Sequence, residues 1–466
     1  MVAVVTGAEA PRLPIGRGRS GGIEAGLGTA PWLPSDAPVA WFRGAPAADQ
    51  AAAADVMART VTAGVESGIP VVGVLGQVGL GTHSGLADLH AWARVARALA
   101  DASGQVPTIL VVDGPCLGGP AVVLGLADVV VMTTRAHAFV NAPASSARIT
   151  GSELLDADLV GGAWVHGGRS GVADLVADDL DEALDLVADL LDLVPANTGS
   201  LPHRIATADP VDRPSQVAAT SVPADPRISY DVRSVILDVV DDTTFLELRS
   251  GYGTSVVTGL ARVAGRPVGL LANQPNQLAG ALDIEGSQKG ASFVRFCDAF
   301  NIPLVTLVDT PGFRPGRDQE WRGMIRHGAK LAFAYAEATV PRVCVVLRKA
   351  YGGAFIVMDC KSMGNDCALA WPSAEIAVMG AQGAVEILGR RALAAAPDGP
   401  ARAARRAALE ADYEAEHLSP AAALDRGFVD DVIDPAATRE AVAGALLALA
   451  AKRERLAARR HENIPL

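Results

Sequence analysis

An α/β fold of two tandem lobes, related by internal duplication, is what this sequence predicts, and three observations predict it. A motif occurs twice, half the chain apart. VPTILVVDGPCLGGPAVV begins at Val106 and VPRVCVVLRKAYGGAFIV at Val340, so Gly118 and Gly119 fall on Gly352 and Gly353 at a constant offset of 234 residues. Upstream, IPVVGVL from Ile69 matches IPLVTLV from Ile302 at an offset of 233. A period that long is no solenoid, so the 466 residues hold one module twice. In each copy, apolar strand-like runs alternate with helical patterns, the signature of a parallel sheet with crossover helices.

Residues 1–36 are rich in Gly, Pro and Ala, lack periodicity and are expected to be a mobile arm. The first lobe is placed at 37–196. Its order is strand (PVAWFRG), helix (49–67), strand (PVVGVLG), helix (84–102), strand (TILVVDG), glycine turn and helix. The acidic segment DLVADDLDEALDLVADLLDLV closes it; apolar residues recur there at helical spacing, so the charges read as one solvated helix face. A Pro- and Ser-rich linker is placed at 197–229. The second lobe, 230–466, repeats the order. PVGLLANQP answers PVAWFRGAP, a helix over 288–300 follows, then IPLVTLVDTPG, a helix over 323–338, VPRVCVV and the second glycine turn. The tail is expected to be helical over 401–417 and 438–459, the last helix basic and either solvated or facing a subunit.

Composition narrows the chemistry. Hydrophobic residues make up 50% of the chain and aromatics 5%, so the core must be built from Ala, Val and Leu. A net charge of −12 argues against nucleic acid as the main partner. Five cysteines stand singly (Cys116, Cys297, Cys344, Cys360, Cys367), which gives neither a zinc ribbon nor a disulfide framework and fits a reducing cytoplasm. The apolar run at the N-terminus is too short for a signal peptide. The most membrane-like stretch, 108–132, is broken by Asp113, Pro115, Pro120 and Asp128, so strand, turn and helix is the better assignment. No metal site is expected.

A strand, a glycine pair and an apolar helix aim backbone N–H groups at developing negative charge. Six ordered motifs surround the second such turn: NQP (Asn273 to Pro275), KGASFVRFCDAFNIPLVTLVDTPGF, IRHGAKLAFAYAEATVP, RKAYGGAF, AWPSAEIAVMGAQGAVEI and the terminal HENIPL. Together they closely resemble the carboxyltransferase β-subunits of biotin-dependent acyl-CoA carboxylases of the acetyl-/propionyl-CoA type. The resemblance covers residues 68–466 and is densest beyond Tyr230. It implies two crotonase-like (ClpP/crotonase) lobes and a homo- or hetero-hexamer, each active site lying between one chain's N-lobe and another chain's C-lobe. It also implies transfer of a carboxyl group from biotin, carried on a separate subunit, to a short acyl-CoA or carrier-protein thioester. That activity supplies fatty acid or polyketide precursors. Neither a biotin-attachment motif nor an ATP-grasp region is present, so a biotin carboxylase and carrier partner is implied.

Carried over by motif, the biotin-side oxyanion hole is the N–H pair of Gly353 and Ala354, and the acyl-side hole that of Gly118 and Gly119. Tyr351, Phe355 and Ile356 are placed against substrate, with Ile356 tuning acyl length, and Lys289 against a CoA phosphate. No protein base is required, because the biotin anion formed on CO₂ release takes the α-proton. His327 reads as a surface or interface residue and Asp309 as a turn cap. His83 is a candidate acid or base in an altered loop.

The first lobe departs from the family. Pro120 occupies the position that Ala354 fills in the second copy, and proline has no N–H. GQVGLGTHSG (76–85) lacks the arginine of the family's Ser-Gly-Gly-Ala-Arg loop, and FRGAPAADQ (42–50) replaces its FGGS-type loop; both help to bind CoA in the family. Two further functions stay open: a malonyl- or methylmalonyl-thioester decarboxylase running the chemistry backwards, and a non-catalytic β-subunit in a mixed complex.

Overall fold

The computed structural model of the protein describes residues 22–44, 50–79, 85–459 and 463–465. It divides into two compact units. The first takes the described residues of Met1–His203 with Leu248–Tyr252 and Ala299–Asn301; the second takes Arg204–Glu247, Gly253–Asp298 and those of Ile302–Leu466.

The first unit is built on a six-stranded sheet. β1 (Ile23–Gly28) and β2 (Val39–Gly44) pair antiparallel from Ile23↔Gly44 to Gly28↔Val39. β3 (Val71–Leu75), β4 (Thr108–Val112), β6 (Val129–Thr133) and β8 (Leu175–Ala177) then continue in parallel, in the order β1-β2-β3-β4-β6-β8. Every residue of β3, β4 and β6 is buried, as a parallel sheet covered on both faces requires, and each is a run of β-formers. Two crossover helices, α1 (Gln50–Ser67) and α2 (Leu86–Ala102), follow β2 and β3. In α2 the buried Ala91, Trp92, Val95, Ala98, Leu99 and Ala102 recur three and four apart, so one stripe faces the core. Gly73 makes room for a ring in the sheet: a Cβ there would lie 2.2 Å from the Phe42 ring. A two-stranded annex, β5 (Pro115–Leu117) with β7 (His137–Phe139), extends beyond β4.

The acidic segment is a helix over Leu180–Leu193. Ala183, Leu184, Val187, Leu190 and Leu191 are buried and Asp181, Asp185, Asp189 and Asp192 exposed, the solvated face expected. The Asp179 side chain caps it by accepting from Glu182 N (3.0 Å).

The second unit repeats the plan. β10 (Val256–Val263) and β11 (Arg266–Asn273) form an antiparallel hairpin closed by Ala264 and Gly265, both at positive φ (52° and 74°), which is the geometry of a type I′ turn. β12 (Leu304–Thr310), β13 (Arg342–Tyr351), β14 (Cys367–Ala370) and β16 (Asp431–Val432) follow in parallel. β15 (Glu375–Ala377) pairs with the far end of β13, as β7 pairs with β5. β9 (Leu246–Leu248) lies beyond β10 at the sheet's edge. Strand for strand, β2, β3, β4 and β6 answer β11, β12, β13 and β14, and both glycine pairs follow the equivalent central strand.

Three expectations are corrected. The arm proposed over 1–36 holds β1, because Ile23, Ala25 and Leu27 bury against the sheet; residues 1–21 lie outside the described residues. The proposed linker is structured from residue 204 onward within the second unit. It carries a helix over Gln216–Ser221, and Arg439, wholly buried, donates to Pro210 O (3.0 Å), Val239 O (2.9 Å) and Asp241 Oδ1 (2.7 Å). Removing one partner of such a buried pair costs about 3–5 kcal/mol. Finally, the terminal helix stops at Ala448 with a single further turn over Leu449–Ala451. Lys452 is not solvated, since its Nζ donates to Val340 O (3.1 Å) and pairs with Asp366 (2.9 Å).

Candidate active site

β13 delivers the second glycine pair. Gly352 has φ +56°, and a Cβ on it would lie 3.1 Å from the Val378 carbonyl oxygen, so the position demands glycine. Gly353 is exposed, with the Phe313 ring 3.4 Å from where its Cβ would be, and Ala354 is buried. A helix over Gly352–Val357 starts at this turn, so the N–H groups of Gly353 and Ala354 have no acceptor within it. Two donors, no bulky side chain and one aromatic wall make a place for a planar anion.

The side chains around this turn divide by exposure. Ile356 is 51% exposed and Phe355 half-buried. Tyr351 is also half-buried, and its hydroxyl donates to the Glu375 carboxylate. Burial and that carboxylate push the phenol well above its ordinary range, so Tyr351 acts as a neutral donor.

The first glycine pair differs. Gly118 has φ +75° and caps the short helix α3 (Gly119–Leu124). Its N–H is already used: it donates to Phe139 O at 2.8 Å, and Ala121 N donates to Gly118 O at 3.0 Å. Pro120 has none to give. The expected acyl-side pair of Gly118 and Gly119 is therefore corrected to a single N–H, that of Gly119, because the pairing of β5 with β7 consumes the other.

Lys289 is also corrected. It is 1% exposed and its Nζ donates to Val256 O at 2.7 Å, so it serves the core of the second unit and is out of reach of a phosphate. His327 is half-buried. Its Nδ1 accepts from the Gln288 amide (3.0 Å), and burial with Lys330 and Arg326 nearby lowers its pKa. His83, with the half of the altered loop over 80–84, lies outside the described residues, as do 45–49.

Asp309 does more than cap a turn. It is wholly buried, takes Arg348 Nε at 3.0 Å and Lys349 N at 3.1 Å, and its own N–H donates to Asn273 Oδ1 at 3.2 Å. Sequence reasoning missed Arg348, although a basic pair directly before a glycine turn in an apolar strand was the signal. Among the described residues no group of three or more His, Cys, Asp or Glu could hold a metal ion, and no helix is long and apolar enough to cross a membrane.

The family model for the carboxyl transferase domain matches residues 36–464. The chain is 46% identical over 412 residues to the propionyl-CoA carboxylase beta chain of Saccharopolyspora erythraea, covering 86% of this chain and 75% of that protein. It is 43% identical over 414 residues to the propionyl-CoA carboxylase carboxyltransferase subunit of Haloferax mediterranei, covering 89% and 80%. Among solved structures, the hexameric transcarboxylase 12S core with hydrolysed methylmalonyl-coenzyme A superposes with a TM-score of 0.90 at 40% identity, covering 96% of this chain and 85% of that one.

Proposed function

The chain belongs to the carboxyl transferase family, and from that premise we propose that it moves a carboxyl group from carboxybiotin, borne on a separate carrier subunit, to a short acyl thioester such as acetyl- or propionyl-CoA. The observation that carries this is the glycine turn after β13, with two N–H groups free of helical acceptors and an exposed Gly353 whose nearest side-chain neighbour is the Phe313 ring. Biotin, when bound, supplies both the carboxyl group and the base for the α-proton. The protein's part is electrostatic. Gly353 and Ala354 hold negative charge on the ureido oxygen as the carboxyl group leaves, and each such donor is worth about 3 kcal/mol of barrier. Gly119 holds the thioester oxygen as the α-proton departs. Phe313 walls the biotin side, and the exposed face at Ile356 sets the room left for the acyl chain.

We place the active assembly in the cytoplasm, as a hexamer in which one chain's first lobe meets another's second lobe. The large exposed apolar residues Trp321, Ile325 and Val378 support a covered face on the second lobe. A second reading is favoured by one observation. The single donor at Gly119 fits a half-active subunit kept beside an active paralogue. The deciding assay is carboxyl transfer by the purified full chain from carboxylated biotin carrier to acetyl- and propionyl-CoA, with malonyl-CoA as the substrate for the reverse direction. Transfer supports the first reading; its absence alone, with restoration on adding a paralogous subunit, supports the second.

A further inference from the structure

β12 and β13 do not run in simple register. Val308 pairs with Val346, but two residues later Thr310 pairs with Ala350, so β13 carries two extra residues over Leu347–Lys349. Bulges of this kind re-aim the chain beside active sites. Here the bulge falls immediately before the turn at Gly352–Gly353, with Lys349, Ala350 and Tyr351 already paired to β15 on the other side. A bulge leaves ladder groups without strand partners, and in a dry interior each must be satisfied elsewhere. The Asp309 carboxylate does this on one side: Oδ1 accepts Lys349 N–H (3.1 Å) and Oδ2 accepts Arg348 Nε (3.0 Å). The Ser373 hydroxyl does it on the other, donating to Leu347 O at 3.0 Å. Arg348 is then fixed at its far end by three carbonyls, Pro223 (3.2 Å), Asp225 (3.1 Å) and Ile228 (2.9 Å), and lies over the Tyr230 ring at 5.1 Å. The Lys349 ammonium also lies 4.0 Å from Asp309 Oδ1 and donates to Pro226 O at 3.0 Å, so every charged group of the cluster has a named partner.

We propose that Asp309 is a positioning residue for the transfer reaction: by clamping the bulge at Lys349 N and Arg348 it sets the direction in which Gly353 and Ala354 present their N–H groups. The first lobe gives the contrast. At the positions of Asp309 and Arg348 it has Gly76 and Gly114, packed backbone to backbone; a Cβ on Gly114 would lie 2.4 Å from Gly76 O. The clamp therefore belongs to the lobe whose turn keeps two donors. The inference rests on Gly353 and Ala354 being the biotin-side donors.

The test compares Asp309→Asn, which keeps an acceptor for Lys349 N–H but loses the charge facing Arg348, with Ser373→Ala, which frees only Leu347 O. Ala354→Pro is run in parallel on the full chain with carboxylated biotin carrier and propionyl-CoA. Rates are expressed per folded molecule, from circular dichroism and thermal melting. A positioning role predicts that kcat falls about 10- to 100-fold in Asp309→Asn and 2- to 5-fold in Ser373→Ala, with KM for the carboxylated carrier nearly unchanged, since only transition-state alignment is lost. Normal kcat in a folded Asp309→Asn protein overturns the inference, and so does a loss fully explained by a smaller folded fraction. Normal transfer by Ala354→Pro overturns the underlying assignment of the donors instead, whatever Asp309→Asn does.

Discussion

The two lobes share a strand order and a glycine turn, yet they treat the turn's N–H groups differently. In the second lobe a ten-residue strand, β13, runs through a bulge into Gly352–Gly353, and the N–H groups of Gly353 and Ala354 start a helix that offers them no acceptor. In the first lobe the same span is split into β4 and β5, Gly118 N–H is taken by Phe139 O, and Pro120, at the position of Ala354, has no N–H, which leaves Gly119. The backbone trace is conserved while the electrostatic content is halved. Duplication thus fixes where the turn falls; side-chain identity at two or three positions fixes which of its N–H groups are left to present.

The sharpest way to break this comparison is to make the second lobe resemble the first. Ala354→Pro should lower turnover on the order of 10²–10³-fold, with folding checked by circular dichroism. Retained transfer in a folded variant places the biotin site elsewhere. The reverse change, Pro120→Ala, should restore a second donor and raise carboxyl transfer to propionyl-CoA on the order of 10- to 10²-fold, measured under saturating carrier. An unchanged rate means that the acyl oxygen is not held at this turn. Binding offers a third probe. With the family's arginine-bearing loop replaced, calorimetry on the isolated chain should find acetyl- and propionyl-CoA bound more weakly than micromolar, about −8 kcal/mol. A tighter complex would remove the asymmetry at the level of substrate capture.

The smallest effect lies at the base of the sheets. Thr108 N donates to Asp128 Oδ2 at 2.8 Å in the first lobe, and Arg342 N to Asp366 Oδ2 at 2.9 Å in the second. Asp366 has Lys452 beside it (2.9 Å), whereas burial raises Asp128 to about 6 against the pull of its Thr108 bonds. A folded-state pKa above the unfolded one means that this group favours the native state fully below pH about 4 and less as pH rises through 6. Asp128→Asn should flatten that part of the Tm profile by about 2–4 °C; an unaltered slope would show that Asp128 titrates normally.

Much of this is legible beforehand because a 233–234-residue repeat and continuous apolar runs alternating with helical patterns are written directly in residue order. The turn at Gly353–Ala354 and the departure at Pro120 were equally visible, since glycine and proline state their backbone consequences by identity. What stayed hidden depends on partners distant in sequence. Nothing adjacent to Gly118 announces that Phe139 O takes its N–H. Lys289 looks like a surface lysine until Val256 O appears beside it. The segment before β2 resembles an arm because its glycines and prolines mask the apolar alternation of Ile23, Ala25 and Leu27. The Asp309–Arg348 pair, 39 residues apart, needed the register of β12 on β13 to be seen.

The close backbone contact of Gly76 with Gly114 bears on how such duplicated proteins evolve. With a Cβ on Gly114 only 2.4 Å from the Gly76 carbonyl oxygen, no single substitution can install an arginine there, let alone a facing aspartate. Both strands would have to move apart before either side chain gained anything, so each intermediate carries backbone strain that its parent lacks. The two halves have passed a ratchet: they can go on diverging by point mutation, but exchanging their roles now requires a recombination that replaces a whole strand pair at once.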